Sequence, residues 1–209
     1  MVIDEMKLIA ITNDAYSVEE TCTKILEIHD YVDFIHIREK SKSMLEIYCL
    51  CKQLLAGGAD KRKIVINGRE EILLLANMLH VHLPEKGFLI ERTRRRTACQ
   101  LAGKSVHSLK AALEAEKEGA DYIIYGHCYE TDSKKGMPPN GIKTLQEIKQ
   151  AVKLPVYAIG GISEDKVAGL YECGADGICV MSGIFAAESP KLAAKKYQER
   201  CKEYANTKI

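Results

Sequence analysis

The sequence predicts a single-domain α/β protein, a closed (β/α)8 TIM barrel spanning residues 1–209. Three observations lead there. Short apolar runs recur eight times, longer segments with helical spacing lie between them, and no linker, low-complexity tract or Pro/Gly/Ser-rich boundary interrupts the alternation. Strands alternating with helices imply a parallel sheet, and a count of eight favours closure over an open doubly wound sheet. At 209 residues the chain is short for a barrel, so its loops must be lean.

The expected strands are KLIAIT (7–12), DFIHI (33–37), KIVI (63–66), HVHL (80–83), AGKSV (102–106), YIIY (122–125), PVYAI (155–159) and GICV (177–180). Between them, SVEETCTKILEIHD, SMLEIYCLCKQLL, SLKAALEAEKEGA, IKTLQEIKQAV and SEDKVAGLYECGA have the spacing of amphipathic helices. Ser17, Ser43, Ser108 and Ser163 stand where N-caps belong, and Gly57, Gly119 and Gly174 where helices end. The basic stretch ERTRRRTA (91–98) lacks interleaved aromatics and lies between two strands, which reads as the solvated side of an outer helix rather than a nucleic-acid patch.

Composition narrows the partners. A hydrophobic content of 46% supports a full core, and 30 Lys plus Arg against 29 Asp plus Glu leave a net charge of +1. That balance lacks the bulk attraction of nonspecific nucleic-acid binders, so a small molecule is the expected partner and no nucleic acid. The eight cysteines form no CxxC pair and mostly sit in apolar segments, which reads as reduced thiols in a cytoplasmic setting. The N-terminal MVIDEMKLIAITND places acids where a signal peptide needs bases, and nowhere do 18 apolar residues run together, so no membrane partner is expected. Outer helices such as SMLEIYCLCKQLL carry apolar residues beyond one narrow stripe, which suggests a homo-oligomer.

In a barrel of this class the chemistry sits at the C-terminal ends of the strands. Those positions hold Arg38, Glu39 and Lys40 after the second strand, Asn67, Gly68 and Arg69 after the third, His107 after the fifth, and Gly126 and His127 after the sixth. After the seventh come Gly160 and Gly161, and after the eighth Ser182 and Gly183. Glycines in AIGGIS let backbone N–H groups approach a ligand, and Ser-Gly in VMSGIF opens a short helix whose N-terminus attracts an anion. Together they form a pattern suited to phosphate. Arg38 and Lys40 read either as anion ligands or as a solvated strand end. His36 reads equally as a core histidine or a ligand contact, whereas His80 and His82, lacking a third ligand at zinc spacing, read as structural.

These blocks add up to a resemblance that covers essentially the whole chain. IHIREKS, IVING, HVHLP, GKSVHSLKAALEAEKEGADYI, YGHCYETDSKKG, PVYAIGGIS and GADGICVMSGIF, in that order, resemble the thiamin phosphate synthase superfamily and, within it, TenI-type thiazole tautomerases. Synthases of this group carry Gln-x-Arg-x-Lys after the second strand, Asn-Asp after the third and a further aspartate after the fourth, the acids holding magnesium. Here His36 replaces the glutamine, Asn67-Gly68 replaces Asn-Asp, and PEKG stands where the second acid belongs. Two lost carboxylates leave too little charge for an octahedral oxygen site. In the loop after the sixth strand a proline has become His127, as in the tautomerases.

The resemblance therefore implies aromatisation of a phosphorylated carboxythiazole: a proton leaves ring C2 and another is added at the exocyclic alkene carbon. His127 is the implied catalytic acid/base, since an imidazole with an ordinary pKa of about 6.5 serves in both protonation states. Arg38, Lys40, Asn67, Ser105, His107, Gly126 and Lys134 are the implied substrate contacts, and Gly160, Gly161, Met181, Ser182 and Gly183 the phosphate site. No cofactor and no metal are expected. Two alternatives remain: a thiamin phosphate synthase-like transferase, and a catalytically silent regulatory module that binds a phosphorylated ligand.

Overall fold

A computed structural model describes residues 6–204; the acids Asp4 and Glu5 and the last five residues lie outside the described residues. Eight parallel strands close into one barrel in sequence order. They are β1 (Lys7–Ile11), β2 (Phe34–Ile37), β3 (Ile64–Asn67), β4 (His80–Leu83), β5 (Leu101–Val106), β6 (Tyr122–Gly126), β7 (Val156–Ile159) and β8 (Gly177–Val180), with β8 pairing back onto β1. The third strand starts one residue later than expected because Lys63 ends a short 3-10 turn capped by Asp60.

The helices are α1 (Val18–Ile28), α2 (Met44–Ala56), α3 (Glu71–Leu75), α4 (Ile90–Thr97), α5 (Leu109–Lys117), α6 (Gly141–Ala151), α7 (Val167–Glu172), α8 (Ser182–Phe185) and α9 (Pro190–Glu203). Ser17, Ser43 and Ser108 accept N–H bonds as caps, and the first two complete capping boxes with Glu20 and Glu46. Ser163 starts its turn without such a bond. The arginines of α4 turn to neighbours: Arg94 pairs with Asp121 at 2.5 Å, Arg95 with Glu91, and Arg92 lies over the Phe88 ring.

The strand alternation builds two cores. Outward side chains such as Leu8, Ile35, Val81, Ile123 and Ile178 pack against helix residues including Ile25, Leu50 and Leu145. Truncating one of these fully buried leucines to alanine costs about 2–5 kcal/mol. Inward side chains fill the barrel: Ile9, Ile11, Tyr122, Ile124, Tyr157 and Cys179. A Cβ at Gly103 would lie 2.1 Å from the Tyr122 ring, so its missing side chain gives the phenol room to cross the barrel. The Tyr122 hydroxyl ends 3.4 Å from His36 Nε2.

Candidate active site

The interior filling stops one layer below the C-terminal rim, and a cavity of about 340 Å³ opens above it. Its apolar walls are Ile11, Ile124, Ile159 and Met181. The polar part gathers Arg38, Lys40, Asn67, Ser105, His107, Gly126, His127, Lys134 and Gly160, together with His82, Glu85, Thr131 and Ser133. A second cavity of about 720 Å³ adjoins it, sharing Thr131 and Lys134 and lined also by Glu130, Asp132, Lys135, Gly161 and Ser182. Of the residues expected from sequence, Gly183 alone lines neither space. Its Cβ direction points at Val180 and the Tyr197 hydroxyl, toward α9.

The loop that carries His127 is built by pairing with its neighbour. Cys128 N–H donates to Ile159 O at 2.8 Å and Tyr129 N–H to Gly160 O at 3.1 Å, so the chain after β6 runs against the chain after β7. The fit is close. A Cβ at Gly160, where φ is +103°, would stand 2.3 Å from His127 Cβ, and one at Gly161, where φ is +65°, would stand 2.1 Å from Glu130 O. Lys166 donates to Gly161 O at 2.7 Å and fixes the orientation of that peptide. His127 is buried at 4% exposure, with Nε2 3.3 Å from Met137 O and Nδ1 unpartnered.

Charge in the smaller cavity is unbalanced. Among the described residues, the side chains of Arg38, Lys40 and Lys134 have no carboxylate partner, while the one carboxylate, Glu85, is engaged by His107. Glu85 Oε2 accepts the His107 main-chain N–H at 2.7 Å and lies 2.9 Å from ring Nδ1. Three unpaired cations suit an anionic ligand. They do not suit magnesium, which needs hard oxygen ligands: Gly68 and Gly87 offer no side chain, Asn67 is neutral and Glu85 is taken. Among the described residues no group of three His, Cys, Asp or Glu is arranged for a metal.

His82, read from sequence as structural, stands on the cavity wall with Nε2 2.9 Å from Ser105 Oγ. Its ring lies 5.1 Å from that of His36 and stacks on Tyr122 at 5.6 Å. Burial pushes its pKa down to about 3. His36 lies beneath, fully buried, and is held well below its ordinary value by burial and then by His82. Both rings are therefore neutral, with unpartnered Nδ1 atoms. The period of β4 places His82 on an inward face, but only the pairing of β4 with β5 sets it against Ser105. Glu85 escapes a reading of the sequence because PEKG stands out there for the acid it lacks, while the acid it keeps sits two residues earlier.

The comparisons with known proteins agree with this architecture. A family model described as thiamine monophosphate synthase matches residues 8–184. A thiamine-phosphate synthase of Clostridium tetani is 36% identical over 165 residues, 78% of each chain. One from Clostridium acetobutylicum is 33% identical over 195 residues, covering 91% of this chain and 92% of that protein. Among solved structures, thiamine phosphate pyrophosphorylase from Pyrococcus furiosus has a TM-score of 0.80 at 30% identity and covers 97% of this chain and 98% of that one. A 3-hexulose-6-phosphate synthase, at 0.71 and 17% identity, shares the fold alone. No helix among the described residues is long and apolar enough to cross a membrane.

Proposed function

The chain belongs to the thiamine monophosphate synthase family of thiamine biosynthesis, and from that premise we propose that it is an isomerase, a thiazole tautomerase. It converts the non-aromatic carboxythiazole phosphate tautomer into 2-(2-carboxy-4-methylthiazol-5-yl)ethyl phosphate. The observation that carries this reading is the make-up of the cavity: imidazoles and unpaired cations, with one carboxylate that is already engaged. Such a set binds a small molecule with two anionic groups and moves protons.

In this reading Gly160, Gly161 and Ser182 take the ethyl phosphate through backbone N–H groups at close approach, with Lys134 beside them. Met181 closes the apolar wall under the ring. Arg38 and Lys40, across the mouth on the loop after β2, meet the carboxylate, with Asn67 and Ser105 as neutral hydrogen-bonding neighbours. Holding both anionic ends fixes the ring against His127, and fixing it lowers the barrier. The 3.3 Å contact from His127 Nε2 to Met137 O is long, and the bound ring takes the place of that carbonyl.

A second reading, a transferase making thiamine phosphate, is favoured by the names of the relatives. One experiment separates the two. The purified protein is given the non-aromatic tautomer with and without EDTA, and separately the aromatic thiazole phosphate with pyrimidine pyrophosphate and magnesium. The tautomerase reading expects rising thiazole absorbance unaffected by EDTA, and no coupled product. Substantial magnesium-dependent coupling without aromatisation would put the transferase in its place.

A further inference from the structure

Under the tautomerase reading, on which this inference rests, protons move at two carbons of the substrate, C2 beside the carboxylate and the exocyclic carbon beside the ethyl phosphate. The cavity holds two imidazoles that differ in how they are held. His127 is buried and packed against Gly160, on the side where the phosphate glycines lie. His107 follows β5, is 43% exposed at its side chain, and is gripped by Glu85 from the loop after β4. That grip is double, on the main-chain N–H and on ring Nδ1, so the ring is oriented with its proton on Nδ1 and its Nε2 lone pair free. Nε2 has no protein partner among the described residues.

We infer that the proton work is divided: His107, positioned by Glu85, removes the C2 proton, and His127 delivers the proton to the exocyclic carbon. The placement reflects the order of strands around the rim. The glycines after β7 put the phosphate, and the alkene carbon next to it, closer to His127 after β6 than to His107 after β5. In the step itself the C2–H bond breaks and its proton goes to His107 Nε2. The electron pair is delocalised over the ring and the exocyclic alkene as a discrete carbanion. In a second step the exocyclic carbon takes a proton from the protonated His127, the exocyclic bond becomes single, and the ring is left with its C2–N and C4–C5 double bonds. His107 ends protonated and His127 neutral. His107, open to water, then releases its proton and His127 takes one back, which resets the pair. Glu85 touches no reacting atom and acts only as a positioning residue.

The test tracks each proton separately in D2O by NMR, using wild type, His107→Asn, His127→Asn and Glu85→Gln. Division of labour predicts that His127→Asn still exchanges the C2 hydrogen of the substrate for deuterium without forming product. His107→Asn blocks C2 exchange and lowers aromatisation by about 10²–10⁴-fold, yet still exchanges the exocyclic hydrogens of the aromatic product. Glu85→Gln shows the same pattern as His107→Asn with a smaller loss and unchanged KM. His107→Gly, which opens an exposed space, recovers activity with added imidazole, a response that a purely structural histidine does not give. Wild-type aromatisation combined with full activity of His107→Asn, or loss of both exchanges in His127→Asn alone, overturns the division while leaving the tautomerase intact. No aromatisation by the wild type overturns both.

Discussion

Asn140 and His127 are joined through the main chain: the Asn140 N–H donates to the His127 carbonyl at 2.9 Å. The Asn140 side-chain amide donates to the carbonyl one residue earlier, Gly126, at 2.7 Å. One residue at the start of α6 thus clasps two successive carbonyls at the end of β6. Asn140→Ala keeps the first bond and removes the second, leaving a carbonyl unpaired. The expected loss is about 1–3 kcal/mol of stability and up to about 10²-fold in turnover through a displaced His127. A melt beside steady-state kinetics checks this; unchanged turnover would show that the clasp does not position the imidazole.

His127→Asn retains hydrogen-bonding ability in similar space but cannot cycle a proton. Turnover should fall by about 10²–10⁴-fold while melting temperature and product affinity hold. A stable variant that keeps more than about a third of wild-type turnover, well outside that range, removes His127 from the chemistry.

Gly161→Val places a Cβ against the Glu130 carbonyl at a backbone angle of +65°. Binding of the phosphorylated product should weaken more than binding of its dephosphorylated analogue, measured by calorimetric titration. Equal weakening of both would place the phosphate elsewhere.

Acid should destabilise the barrel from within. The His82 pKa is about 3 folded and about 6.5 unfolded, so the unfolded chain binds the extra proton. Its contribution is complete above about pH 6.5 and is lost as pH falls from there toward about 3. Denaturant titrations at pH 7.5 and 5 should differ by on the order of 2 kcal/mol from this one group, with His36 acting in the same direction. His82→Gln should flatten the dependence; an equally steep profile in that variant would assign it to other groups.

Much of this protein is legible along the chain because its signals are local. The apolar runs at 7–12, 80–83 and 177–180 and the caps at Ser17, Ser43 and Ser108 depend on neighbours within a few residues, and those determine strand, helix and order. Once eight alternations imply a closed barrel, the strand ends converge on one rim, and that convergence alone brings Arg38, His127 and Gly160 together. What the chain cannot express is which side chains meet across the closed sheet. Glu85 and His107 are 22 residues apart, and their bond exists because β4 and β5 are neighbours with one register. His82 also walls the cavity because Gly103 and Tyr122 shape the layer beneath it. Gly183 turns from the cavity toward α9, whose packing only the tertiary structure decides. Periodicity reports which face a residue takes, whereas pairing across strands and the burial that silences an imidazole are collective results of closure, and only the folded barrel contains them.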